Sequence, residues 1–371
     1  MPTLPDLVAR FPLVPRPRPA CLPLPQRIHG LTELAQTAAA AQDPVRASAV
    51  YNQAALLASD IGLPALASEL CHQHANAYLH ATPLTADTAI RALEPVVNLA
   101  RLQLRLRQGD AGLYRLLRLS RAVSNGAADR FEGLLVPANL VKTTAARQEV
   151  RAWLWRVLLA DGSRAYAAAG RWNEALSHVQ QHRGVGARML DGRQIAVVAA
   201  LTAQETTAAA ELIRATEPGE PWERAVTACL YALCRRAPAG LDRAQVDELV
   251  TAVFGVFDEP GPTVFDVRLG LTALDIIGST PVAERLVHAL HRQITHSCDG
   301  AAAREAHADA TFNALSTKEE RQSCQDLVQI SGLGSGTLPQ ALRQNLQEAV
   351  QTSDRIIRNS HVRERVGDEG L

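Results

Sequence analysis

From about residue 43 onward, apolar positions recur three and four residues apart, and Gly, Pro or Asp interrupts them at short intervals. That spacing places the apolar side chains on one face of an α-helix, and the interruptions mark its ends. The first helix covers 43–60, with Asp43 as its cap and Pro44 in its first turn. The next begins after a turn at Gly62 and is stopped by Pro83. A third runs to about Gln108, where a Gly-Asp turn leads to a helix from Ala111. Another starts near Gln148 and turns at Gly170, and its partner ends near His182. Further pairs are predicted at 190–203 with 206–215, 222–236 with 241–256, and 264–277 with 281–297. Two helices close the series. One opens at a capping box formed by Ser316 and Glu319, and the other passes through "QALRQNLQEAVQTSDRIIRNS". No alternating strand pattern stands out, so the predicted class is all-α.

Helix pairs at this interval are the mark of a solenoid. Two pairs align through their turns, with Gly62 followed by Ala67 and Gly170 by Ala175 in "GLPALA" and "GRWNEA". The small residue lets the second helix approach the first closely. This stretch, with Tyr166 ahead of it, resembles the tetratricopeptide-type repeat, and "GDAGLY" at 109–114 is a weaker instance. Arg118 and Arg121 depart from the repeat by occupying places it keeps apolar. The resemblance covers about 45–300 and implies helix pairs lining a groove, with no particular ligand. "ALEPVVNLARL", "GVGARMLDGRQ" and "EPGEPWERAVTACL" are similar to a broad group of uncharacterised actinobacterial helical proteins, which implies no activity. The expected architecture is an α-solenoid of about six antiparallel helix pairs over 31–358, with an insertion at 122–146. A Pro-rich leader (1–30) precedes it and a polar tail (359–371) follows.

Eight of the 20 prolines fall in the first 25 residues, so the leader reads as extended and polyproline-like. Such a segment lies along the protein's own surface, is held by a partner, or has no fixed structure. Hydrophobic residues make up 47% of the chain and aromatic ones only 4%, so the core is built from Ala, Leu and Val. The net charge is zero, but residues 1–190 carry 21 basic and 13 acidic groups, whereas 191–371 carry 17 and 25. No basic cluster marks a direct nucleic-acid binder. The six cysteines form no CxxC pair, as expected of reduced thiols in a cytoplasm. Neither a signal peptide nor a membrane-spanning run is expected.

Several constellations bear chemistry. "CHQHANAYLH" (71–80) is rich in metal-ligating residue types, but at ~100° per residue its Cys and His side chains scatter around a helix. Cys71 and His74 fall on its apolar face, so a buried thiol and a core histidine are expected. Glu284, His288 and His291 follow i, i+4, i+7 on one face and are candidate ligands for a divalent metal. No other cofactor is expected. Between 87 and 107, Arg91, Glu94, Asn98, Arg101 and Arg105 make a polar stripe on an otherwise apolar helix, which Pro95 should kink or start. In a solenoid this stripe either faces a groove, where the arginine forks suit carboxylate or phosphate, or is satisfied by internal Arg–Glu pairing and solvent. Phe131, in the apolar patch of the 122–146 insertion, is a further candidate contact for a protein or peptide partner. Arg183, Arg188 and Arg193 surround Gly184 and Gly186 in a turn of the type that can hold an anion. "SGLGSGTLP" (331–339) reads as a linker. HExxH, GxSxG, Walker and kinase signatures are absent.

The expected role is a non-catalytic scaffold or accessory protein that binds a peptide or protein segment. The alternatives are an enzyme acting on a bound peptide in a natural-product pathway, or a ligand sensor working through a partner. If the stripe is the contact surface, Arg101→Glu with Arg105→Glu abolishes partner binding while the fold survives, as a binding assay beside circular dichroism would show.

Overall fold

The computed structural model describes residues 3–236, 241–259 and 261–368, with side chains to His361. It is 74% helical. After α1 (Leu4–Val8), residues 9–23 have no regular structure, and they lead to α2 (Leu24–Ala41). The chain continues through α3 (Pro44–Asp60), α4 (Pro64–Leu79), α5 (Ala86–Arg105) and α6 (Gly109–Asn125). A hairpin, β1 (Asp129–Phe131) and β2 (Leu134–Val136), precedes α7 (Thr144–Val157) and a π-helical turn at Leu158–Gly162. Next come α8 (Ser163–Ala168), α9 (Trp172–Gln181), α10 (Asp191–Thr202) and α11 (Thr206–Arg214). They are followed by α12 (Pro221–Arg235), α13 (Arg243–Phe257), α14 (Thr263–Ile277) and α15 (Pro281–Ser297). The last elements are α16 (Gly300–Ala308), α17 (Ala310–Leu315), α18 (Lys318–Ile330) and α19 (Gln340–Asp368).

Local chemistry accounts for the helix starts. Asp43 accepts from the amides of Val45 and Arg46, Thr85 from Thr88, Thr143 from Ala146, and Asp242 from Gln245. Each satisfies donors that the first helical turn leaves free. The predicted capping box lies one residue further on. Thr317 and Glu320 bond each other's backbone amides, and the Ser316 hydroxyl is buried without a hydrogen-bond partner. Thr-x-x-Glu competes with Ser-x-x-Glu in "STKEE", and a register shift of one residue decides between them.

Residues 31–358, read from the sequence as one array, divide into two compact units. Unit 1 is Met1–Pro23 with Gly162–Ser331, and unit 2 is Leu24–Asp161 with Gly332–Leu371. In unit 2, α2 to α6 pack on their sequence neighbours and α19 returns to cover α2 and α3. Alanines at 47, 54, 58, 67, 75 and 89 are wholly buried and let the helices approach closely, while Tyr51 and Tyr78 are the largest side chains buried among them. The helix α5 runs unbroken through Pro95, which is buried. Gly334 and Gly336, both with positive φ (69° and 68°), donate their amides to the carbonyls of Asp60 and Ile61 at 2.9 and 2.7 Å. The expected linker is therefore docked on the end of α3.

Two strands are an unpredicted feature. Glu132 and Gly133 have φ of 48° and 92°, and positive φ at both turn residues is what a tight two-residue hairpin needs. The sequence signal is short, because each strand has only three residues. Phe131, Leu134 and Val136 all turn inward. Much of the supposed leader is also helical or packed: α2 begins at Leu24, and Leu7, Val8, Phe11, Leu13 and Cys21 are buried in unit 1.

Within unit 1, Asp266 lies in the first turn of α14 at 5% exposure, and its Oδ1 has no hydrogen-bond partner. Burial pushes its carboxyl up to about 7. In the unfolded chain the group ionises near 4, so the folded state loses stability as pH rises from about 4 to about 7. Asp266→Asn removes the titration. The variant should melt above the wild-type protein at pH 8, and thermal scans at pH 5 and 8 should show that gap shrinking at pH 5.

Candidate functional site

In α4, Cys71 and His74 are each 1% exposed, as the helical pattern requires. His74 stacks flat on Tyr51, with ring centroids 4.9 Å apart and planes within 1°. Its Nε2 has no hydrogen-bond partner, and burial pushes its pKa down to about 3, so the ring stays neutral. Burial likewise raises the Cys71 thiol to about 12, which leaves no thiolate. His72 points away from both. One ring nitrogen lies 2.7 Å from the Ser68 carbonyl and the other 2.9 Å from that of Glu132, which pins the hairpin turn to α4. His80 is exposed. The cluster is a packed helix, as expected, with stacking in place of a bond at His74 Nε2.

The stripe on α5 is consumed by contacts within unit 2. Asn52 on α3 donates to Glu94 at 2.8 Å, and Asn98 donates to Asn52 at 3.1 Å. Arg101 donates to Asn98 and, at 2.9 Å, to the wholly buried Asp161. Arg105 reaches Ser59 and Asp60, and Asp60 also holds Arg27 at 2.8 Å. Arg91 donates to Thr88 on its own helix. Burial raises the Glu94 carboxyl. Four of the five polar groups that the helical wheel assigns to a groove thus tie α5 to its neighbours, and Arg91 bonds within α5. Phe131 is 4% exposed and packs in the core, so it offers no surface to a partner.

The basic turn before α10 does not assemble as an anion cradle. Arg188 is paired with Glu223 on α12, which the pairing holds below the usual carboxylate range. Arg193 donates to the carbonyls of Leu212 and Gly186 and to Thr216. Arg183 is exposed, at positive φ. Gly192, in the first turn of α10, has a packing reason, because a Cβ there would lie 2.1 Å from the Gly184 carbonyl oxygen, whereas one at Gly186 would meet nothing within 4 Å. On α15, His288 lies 2.6 Å and His291 3.9 Å from the same Glu320 oxygen, while Glu284 stands exposed one turn away. Among the described residues no three His, Cys, Asp or Glu side chains meet with the geometry to hold a metal ion. Glu320 comes from α18, where it also completes the capping box.

The strongest recognition geometry lies where the sequence offered only a Pro-rich leader. Gln194 on α10 is fully buried. Its Oε1 accepts from the Leu13 amide at 2.6 Å, and its Nε2 donates to the Leu13 carbonyl at 2.8 Å. That pair reads the main chain of an extended residue as a neighbouring strand would. Arg268 on α14 donates to the Arg10 carbonyl at 3.1 Å. The Arg10 guanidinium is clasped by two carboxylates, Asp275 at 2.6 Å and Asp309, the latter also the N-cap of α17. Thr311 braces Asp275 from behind at 2.6 Å. Downstream, Arg16 meets Asp191, and the Cys21 carbonyl accepts from the Gly300 amide and the Ser331 hydroxyl. Leu7, Val8, Phe11 and Leu13 insert between helices, and each such burial contributes about 1.5–3 kcal/mol.

Asp161 and Asp60 are nearly inaccessible, so reversing the charge at Arg101 and Arg105 sets carboxylates against carboxylates. Arg101→Glu with Arg105→Glu is expected to destabilise the protein by about 2–4 kcal/mol, discounted because both guanidinium groups are half-exposed. Urea titration followed by circular dichroism measures this, and an unchanged midpoint would contradict the network. Comparison of the chain with protein-family models, with curated proteins and with solved structures finds no match.

Proposed function

We propose that the protein is a non-catalytic helical-repeat scaffold or accessory factor, related in kind to the tetratricopeptide proteins, that binds an extended peptide or protein segment. The observation that carries this reading is the bidentate bonding of the buried Gln194 amide to the Leu13 main chain. A wholly buried glutamine whose oxygen and nitrogen both serve the backbone of another segment has the chemistry of a peptide receptor. Affinity that comes from main-chain bonds, with specificity from side-chain pockets, is the usual division in strand-like recognition. The place in unit 1 where the leader lies, a groove lined by α10, α14 and the start of α17, therefore replaces the α5 stripe as the contact surface, since Arg101 and Arg105 of that stripe already serve carboxylates of their own unit.

A cytoplasmic setting is supported by the six cysteines, none of which is in a disulfide among the described residues. No helix among the described residues is long and apolar enough to cross a membrane. The arginines singled out on α5 and before α10 are mostly paired within the protein, so they offer little to nucleic acid.

Panning a display library of random 12-residue peptides against the full-length protein tests the reading. Binders enriched in arginine next to apolar residues are expected. Asp275→Asn, which keeps the shape and the bond from Thr311 but loses the charge, should weaken them about tenfold, or ~1.4 kcal/mol. A library that yields no saturable binder, either on the wild-type protein or on its Arg10→Glu variant, defeats the proposal.

A further inference from the structure

The contacts of the leader separate into two kinds. Bonds to the carbonyl of Arg10, to both main-chain groups of Leu13 and to the carbonyl of Cys21 would serve any extended chain. The clasp of Asp275 and Asp309 on Arg10, with the buried sites of Phe11 and Leu13, serves a particular sequence. A planar guanidinium with one carboxylate on each of its two terminal nitrogens is matched in geometry as well as charge, and a lysine would engage only part of it. Between the anchors, Val14 to Ala20 keeps no helix or strand, and Pro17, Pro19 and Ala20 are exposed. Nothing in the chemistry of the groove requires its occupant to be covalently joined to it.

We propose that this groove takes, in trans, an extended segment of another protein in which an arginine is followed at once by a bulky apolar residue and two positions later by a second apolar one. The chain's own leader is the competitor in cis. This rests on the peptide-binding reading above and adds the ligand class and its regulation. Tethered to its own unit, the leader acts at an effective concentration on the order of millimolar. A trans segment therefore binds only when it is abundant, when it exceeds the leader in fit, or when the Arg10 clasp is weakened. Charge reversal at Arg10 opens the site by setting a carboxylate against Asp275 and Asp309.

The probe is a fluorescent synthetic peptide of residues 3–21, titrated by anisotropy into the full-length wild-type protein and its Arg10→Glu variant. Saturable binding to the variant, at least tenfold tighter than to wild type, is expected. The same peptide carrying Arg10→Glu, or N-methylated at Leu13 so that it cannot donate to Gln194, should bind at least tenfold more weakly, which assigns the binding to this groove. Should Arg10→Glu fail to fold by circular dichroism, the milder Arg10→Gln replaces it. A folded variant that does not bind the peptide overturns the inference and makes the leader a permanent part of unit 1. A wild-type protein that forms concentration-dependent dimers by light scattering, dissociated by excess peptide, also overturns it, because the occupant in trans is then the leader of a second copy. Library binders that persist while the leader peptide fails would leave peptide binding standing and remove only the competition. Loss of both would remove the reading itself.

Discussion

A buried stretch of chain without helix or strand has no internal partners for its own amides and carbonyls, and that constraint organises unit 1. Each such group left bare in an apolar interior costs about as much as a lost hydrogen bond. Around Leu13 the bill is met by one side chain, Gln194, which opens the largely apolar run "QIAVVAALT" and is itself wholly buried. A polar residue there would be costly if its amide were not committed, and the segment would be costly if the residue were apolar. Each makes the other tolerable. The same logic explains Ser331, Gly300 and Arg268, whose donors all end on carbonyls of the first 21 residues.

Unit 2 solves a different problem with different means. Its helices are rich in alanine, so their backbones come close, and a narrow interface leaves little room for large side chains. Polar side chains at the margins are then drawn into bonds across adjacent helices. The chain Glu94, Asn52, Asn98, Arg101, Asp161 is continuous, and the Arg105, Asp60, Arg27 group lies beyond it. A carboxylate as buried as Asp161 or Asp60 is stable only with its cations in place. This is why five residues that form a stripe on a helical wheel do not constitute a free surface. Amphipathicity reports which side of a helix is polar, and it does not distinguish water from a neighbouring helix bearing Asn or Asp.

Polar contacts between distant positions recur as the deciding feature. His288 and His291 lie on one face of α15 as their spacing requires, but the carboxylate that meets them is Glu320, 32 residues beyond His288, and not Glu284. Arg188 of the turn before α10 is likewise claimed by Glu223, and Arg193 in the first turn of α10 by the Leu212 carbonyl of α11. In each case the residue types suggested a ligand site, and a protein group took the place the ligand would have had.

Much of the helical order was legible from residue spacing because the signal is local. Apolar recurrence placed the helices at 191–202, 221–235, 263–277 and 281–297 within a residue or two, and Asp43 with Pro44 located the start of α3. The buried character of Cys71 and His74 also followed from helical phase alone. The hairpin escaped notice because six residues of strand carry almost no periodicity, and α2 because it follows so closely on the prolines. What the sequence by itself determined is therefore the class, the approximate helix boundaries and which face of each helix is apolar, since all three depend on residues within a turn or two of one another. Which polar groups meet, and that the leader lies in unit 1 with Arg10 between two aspartates more than 260 residues away, was decided only by the tertiary structure. Pairing across such separations depends on how whole helices pack, and no local pattern encodes it.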